Sequence, residues 1–191
     1  MKISHKQYKF TPNSGQLLVS EPFLADPNFR KTVVLLCEHE AQGSVGFIIN
    51  RLLDVDTDEI IPGLLNVNFP IYYGGPVEQN TLHFIHKAGL LIDESFPIGD
   101  DIFWGGNIDQ INILLESGKA TEQDFKFFIG YSGWGEGQLE AEIDQKAWWL
   151  TNLIKEEAFN ENIEDIWPNT VRTMGKDFAY LADAPEDYNW N

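Results

Sequence analysis

At 191 residues the chain suits one domain with a sizeable core, and 43% apolar with 23% charged residues is the balance of a soluble globular protein. Its charge is lopsided: thirteen Lys and Arg face thirty Asp and Glu, for a net of −17, and residues 51–191 hold eight basic against twenty-six acidic groups. Such a field repels phosphate backbones and argues against nucleic-acid binding, while a longest apolar run of Val33 to Cys37 excludes a membrane-spanning helix and a single cysteine excludes an internal disulfide.

Residues 1–14 read as a loose polar lead-in closed by Thr11, Pro12 and Asn13, without the apolar region of a signal peptide, so a cytoplasmic protein is expected. Gly15 to Ser20 predicts a strand, and Glu21-Pro22 and Asp26-Pro27 punctuate a turn. Thr32 to Glu38 is apolar at nearly every position and rich in β-branched residues, the pattern of a strand buried on both faces. A five-residue polar loop, His39 to Gly43, joins it to a return strand from Ser44 to Asn50, which makes a hairpin. Residues 54–63, with Asp54, Asp56, Asp58 and Glu59, predict a short acidic helix or loop. Ile71 to Pro76 and Thr81 to His86 predict strands linked by Val77 to Asn80, and Ile102 to Trp104 a third.

Asn107 opens a helix with Ile108, Ile111, Leu114 and Leu115 on one face, closed by Gly118. Thr121 to Asp124 has the form of a single helical turn. Phe125 to Tyr131 predicts a strand feeding a glycine-rich turn, Gly130 to Gly137, and Gln138 to Trp149 a helix with Leu139 and Ile143 inward. Asn169 to Leu181 sets Val171, Met174, Phe178 and Leu181 at helical spacing, and residues 184–191 read as a loose acidic tail. Interspersed strands and helices with short hairpins predict one α+β domain over residues 15–183, built on a mostly antiparallel sheet rather than a doubly wound one.

Two stretches are far more specific than the rest. One runs from Asp26-Pro-Asn-Phe-Arg-Lys31 through Cys37-Glu-His39 to Gly46-Phe-Ile-Ile-Asn-Arg51. The other is Gly130-Tyr-Ser-Gly-Trp-Gly-Glu-Gly137 with Gln138-Leu-Glu140, followed by Trp148-Trp149. Gly74-Gly-Pro-Val77 and Leu82-His-Phe-Ile-His86 lie between them. With these motifs in this order over residues 15–150, the chain resembles the YqgE/AlgH family of small bacterial proteins. The resemblance implies a single α+β domain around a bulged sheet with a barrel-like curl, flanked by helices. It brings no established activity, and a role in transcriptional regulation belongs to one branch of the family. Leu52 and Leu53 follow Arg51 where the family often has Pro.

Each constellation that could carry chemistry has a blander counterpart. Cys37 and His39, two apart on a strand, would share a face and could form a thiolate pair. The alternative is a core thiol beside a histidine bonded to backbone. Cys37, His39, His83 and His86 are the available metal ligands, but His83 and His86 would face opposite ways and no C-x-x-C or H-E-x-x-H accompanies them. The Gly130–Gly137 turn sits where a nucleophile elbow would place Ser132, yet Trp134 follows Gly133 where the elbow needs glycine, and Glu136 would oppose phosphate. Positive φ at Gly133 or Gly135 is the expected reason for its glycines. Trp148 and Trp149 on a helix could not face the same way, so an exposed tryptophan, a surface for a protein partner or for self-association, is expected. The reading assigns no catalytic residue, cofactor or metal. It expects a non-enzymatic protein that acts through protein contacts, with Cys37/His39 or Ser132 as the enzymatic alternative and a small-ligand site at Gly130–Gly137 as the third.

Overall fold

The computed structural model describes residues 11–55, 57–61, 64, 69–99, 101–153 and 155–184. The proposed lead-in lies mostly outside these residues, as does the acidic tail from residue 185 onward. Alternation and β-branching place strands β1 (Gln16–Ser20), β2 (Val33–Glu40) and β3 (Gly43–Ile48) in an antiparallel meander. The first five residues of β2 are buried, as expected of a strand covered on both faces. Its hairpin is tighter than the sequence suggested. His39 and Glu40 stay paired with Ser44 and Gly43, which leaves a two-residue connection in place of the five-residue loop.

Helix α1 (Thr57–Ile60) leads to β4 (Ile71–Tyr73), which pairs parallel with β8 (Phe125–Gly135). β5 (Val77–His86) begins four residues before the predicted strand, because Val77 already pairs with Tyr131; a register shift between Val77 and Leu82 absorbs the expected linker. β6 (Phe96–Gly99), unforeseen because Pro97 and Gly99 argue against a strand, lies at the sheet edge beside β7 (Ile102–Trp104). α2 (Asp109–Glu116) buries Ile111 and Leu114, and a capping box between Thr121 and Asp124 shapes the turn into β8.

β8 is the largest departure from the sequence reading. The glycine-rich segment continues the strand to Gly135 and pairs with β3, so only Glu136 and Gly137 turn into α3 (Gln138–Asp144). That helix ends five residues before Trp149. Trp148 and Trp149 instead open β9 (Trp148–Asn152), which closes onto β1. After α4 (Lys155–Ala158), α5 (Ile163–Thr173) begins six residues before the predicted helix. Gly175, at φ 116°, breaks it from α6 (Lys176–Ala179) and a terminal 3-10 turn. Val171, Met174, Phe178 and Leu181 still reach one core cluster, as their spacing implied.

Among the described residues nine strands form one sheet in the order β6-β7-β5-β8-β3-β2-β1-β9, with β4 beside β8. All pairings except β4–β8 are antiparallel. The α+β fold is as expected, bulged and mostly antiparallel. The barrel-like expectation gives way to an open sheet, because β6 and β9 end the order and do not pair with each other. The curl is real nonetheless: a Cβ on Gly15, beside β1, would stand 2.1 Å from the Ile98 carbonyl in β6. β8 feeds every core cluster, placing Phe127 with the α2 side, Phe128 with the α5 side, and Trp134 with α3.

Candidate functional site

The two signature stretches meet in space, and the side chains that join them are structural. Asn50 acts as a substitute strand residue: its Oδ1 accepts from the Val33 amide at 2.9 Å and its Nδ2 donates to the Lys31 carbonyl at 2.9 Å. Arg51 donates to the carbonyls of Pro27 and Arg30 at 3.0 and 3.1 Å, and the Tyr73 hydroxyl meets Asn28. The loop so held projects Phe29 against Trp134 and Trp148, with ring centroids 6.4 and 5.3 Å away. Both indole N–H groups donate to one oxygen of Glu142, at 2.9 and 2.8 Å, while Gln138 donates to the other oxygen and receives the Gly135 amide. Much of what makes the sequence recognisable is thus a clamp between loop 21–31, β8, α3 and β9.

The structure separates Cys37 from His39. A bulge between Leu36 and Glu38 inserts one residue into β2 and reverses the alternation beyond it. Cys37 therefore lies in the cluster with Phe47 and Phe128, while His39 turns to the α3 side. The thiol is buried, and burial pushes its pKa far up, with Glu38 adding to the shift. Ser132 is also buried and donates to the Gly74 carbonyl at 3.0 Å, not to a base. Gly133 and Gly135 do not take positive φ; Gly130 and Gly137 do. Trp148 is buried and Trp149 packs on Phe178 at 5.0 Å, so neither is the exposed indole foreseen. His83 faces Phe47 and Tyr131, and His86 faces Phe84 and Phe125, on opposite sides of β5 as their spacing implied. Among the described residues no group of three or more His, Cys, Asp or Glu could hold a metal ion.

Sequence reasoning missed three arrangements. His39 Nδ1 lies 2.8 Å from Ser44 Oγ, and its Nε2 lies 3.6 Å from Glu140. This Ser–His–Glu series has the order of a hydrolytic triad with the imidazole reversed, and Ser44 also borders a cleft of about 400 Å³ between β2, β3 and β8. No local pattern in the sequence marks this pairing, which depends on where the bulge in β2 falls. Lys126 is the second: it is 3% exposed, its ammonium sits 4.0 Å over the Tyr72 ring, and it donates to the Asn160 carbonyl at 3.4 Å. Burial lowers its pKa to about 7 against the pull of Glu161 and Glu157. A lysine inside Phe125-Lys-Phe-Phe128 was visible as a charge in a buried strand.

The third arrangement is a surface. Leu90 and Leu91 crown a 3-10 turn before β6, with Leu90 89% exposed and Phe96 on β6 65% exposed. Gln110 exchanges two 2.7 Å hydrogen bonds with Asp93, which fastens α2 alongside, and Ile113, 62% exposed, follows Gln110 by one turn. Residues 88–118 contain six Asp and Glu and no Lys or Arg. These exposed apolar side chains stand on a segment whose own charges are all acidic; Lys87 and Lys119 flank it and Lys155 reaches Asp101 at 3.7 Å.

A family model described as AlgH-like matches residues 17–179. A UPF0301 protein of Chlorobium limicola is 41% identical over 90% of this chain and 92% of its own length. One from Cytophaga hutchinsonii is 36% identical over 93% and 98%. The crystal structure of protein DIP2367 from Corynebacterium diphtheriae superposes with a TM-score of 0.78 at 19% identity, covering 91% of this chain and 93% of that one, which speaks to the fold alone. The solution structure of the AlgH protein from Pseudomonas aeruginosa gives a TM-score of 0.70 at 26% identity, covering 94% and 99%. With a family model spanning most of the sequence, close to full-length relatives and a shared fold, the chain belongs to the AlgH-like, UPF0301 family.

Proposed function

We propose that this protein works in the cytoplasm as a non-enzymatic binding protein, holding a protein partner on the face made by Leu90, Leu91, Phe96 and Ile113. The observation that carries the proposal is the coincidence of these exposed apolar side chains with a segment that lacks any Lys or Arg. The partner it fits is a segment that pairs apolar residues with Lys or Arg. A second copy of this chain would bring the same acidic field to the contact and is disfavoured. Strand addition is also disfavoured, because Pro97 and the irregularity before Gly99 spoil the edge of β6, so the contact is made by side chains. Any regulatory role would run through that partner, without direct contact to DNA.

The test compares partners captured by the wild type and by Leu90→Glu/Phe96→Glu, then reconstitutes the leading pair from purified components. Expected is a partner lost with the double variant, bound through a basic segment and weakened by salt. Equal capture by both proteins, binding through an acidic segment, or dimerisation of the purified chain through this face would refute the proposal.

A second reading rests on the Ser44, His39 and Glu140 series beside its cleft, which suits hydrolysis. Against it, Ser44 is only 4% exposed, and its cross-strand neighbour on β8 is Trp134. Turnover of generic esters by the wild type that Ser44→Ala lacks would favour this reading over the first; equal silence would leave binding as the function.

A further inference from the structure

We infer that the first signature stretch, beyond its clamping role, builds a site for a small organic anion, a compact phosphate or carboxylate group on an apolar body. A cleft of about 500 Å³ opens between the loop before β2, the end of β3 and α5. Arg30, Lys31, Asn50 and Arg51 line one side, and Glu164 and Trp167 line the other. Three of the thirteen Lys and Arg in a chain of net charge −17 converge here, against Glu164 in the lining and Asp26 close to Arg51. The Arg172–Asp183 pair beside it is self-neutralised at 2.8 Å.

The chemistry of the cations points to an anion. Arg51 spends its bonds to Pro27 and Arg30 on carbonyl oxygens, which orient a guanidinium without neutralising it. Burial lowers its pKa, the mark of a cation removed from water. Lys31 donates to the Ala184 carbonyl and lies 5.3 Å from the centroid of Trp167, and among the described residues no carboxylate pairs with it. Its backbone is left-handed, with φ 49°, a strained conformation for lysine that glycine would adopt freely. The fold accepts that strain and keeps a lysine whose ammonium borders the cleft. A half-buried cation pair whose hydrogen bonds go to carbonyl oxygens, with Asp26 near only one of the two, is the arrangement a charge-assisted, bidentate oxyanion contact completes.

The size and the surroundings choose the class of ligand. A volume of this order fits a small molecule, and the Trp167 side supplies an apolar wall. An extended polyanion would bring its other charges against the acidic remainder of the molecule, whereas a compact anion meets only the local field. The site lies on elements other than those of the proposed partner face and does not depend on it.

The test titrates the full chain with phenyl phosphate, benzoate and inorganic phosphate. It follows the backbone amides of residues 30, 31, 50 and 51 and the Trp167 indole by 15N-edited NMR. Saturable shifts confined to these groups are expected with an aromatic anion, stronger than with inorganic phosphate; the phosphate and benzoate arms decide which oxyanion is preferred. Arg51→Lys, which keeps the charge and loses the planar fork, should weaken binding about tenfold, the loss of one charge-assisted contact. Lys31→Gly, which suits the left-handed backbone and so should fold, should weaken it similarly. No saturation with any probe, shifts centred elsewhere, wild-type affinity in both folded variants, or tighter binding of a single-stranded oligonucleotide at the cleft would overturn the inference.

Discussion

Glu142 gathers three side-chain hydrogen bonds, from Trp134, Gln138 and Trp148. One of its oxygens receives both the Trp134 and Trp148 indoles, which flank Phe29. Glu142→Ala strands two donors in a packed region and should cost roughly 2–6 kcal/mol, since each unsatisfied buried donor costs about 1–3. Glu142→Gln keeps an acceptor for the indoles and should cost clearly less, so denaturant unfolding of the two variants separates hydrogen bonding from packing. Equal losses would show that the shared acceptor is not what matters. Lys126 makes a contrary prediction. Its pKa is lowered from 10.5 to about 7 by burial, so between these values the unfolded chain holds a proton that the folded chain lacks. Stability therefore rises with pH across that window, and the destabilisation is greatest below about 7. Lys126→Met should stabilise the protein by roughly 1–3 kcal/mol at pH 7. That gain should shrink by pH 9, as read by urea midpoints. A gain independent of pH would mean that packing, not the buried charge, is responsible. His83 and His86 are likewise lowered by burial, but their window lies below 6.5 and leaves this comparison clear.

At the scale of elements, β8 explains both what sequence pattern reveals and what it hides. Gly130 has φ 67°, and a Cβ there would stand 2.7 Å from the Gly75 carbonyl and 2.8 Å from that of Val77. Gly133 has no positive φ, and its Cβ would press on Tyr131 Cε2 at 3.1 Å, with Tyr131 Cδ2 and Val77 Cγ2 at an ordinary 3.6 Å. Gly130→Ala should therefore destabilise by about 1–2 kcal/mol from the backbone alone, with steric clash added. Gly133→Ala should stay within about 1 kcal/mol of wild type, because a ring can yield and alanine restricts the unfolded chain. Thermal melts of the two variants decide it, and the reverse order of stability would refute this account of the strand. Local pattern found the buried strand β2, the apolar face of α2 and the capped turn before β8, since each depends on neighbours in sequence. It read the glycines from 130 to 137 as a turn because their reason is non-local: β3 and β5 press against β8 from either side. The same holds for the candidate sites. One inserted residue at Leu36/Glu38 parts Cys37 from His39 and joins His39 to Ser44, and no periodicity within β2 announces where that insertion falls.

For the whole molecule, charge sets the expectation. Thirty acidic groups face thirteen basic ones, and the ion pairs resolved, such as Lys87–Asp124 and Lys155–Asp101, are single contacts at or near the surface. Pairs of this kind are worth about 0–1 kcal/mol each and weaken slightly with salt. The opposing term is the repulsion among the excess carboxylates, which compaction brings closer together and which acts over distances beyond single contacts. Raising ionic strength from about 0.01 M to about 0.15 M shortens the screening length from roughly 30 Å to roughly 8 Å, from the width of a small domain to the reach of near neighbours. Repulsion should therefore relax more than the few attractive pairs do, and the melting temperature should rise with sodium chloride over this range. The rise should occur in a single transition, because β8 contributes Phe127, Phe128 and Trp134 to the three core clusters and ties them into one sheet. Melting temperatures measured at constant pH in increasing sodium chloride test both points. A fall with salt would mean that the attractive pairs outweigh the net charge, and two separate transitions would mean that β8 does not couple the clusters.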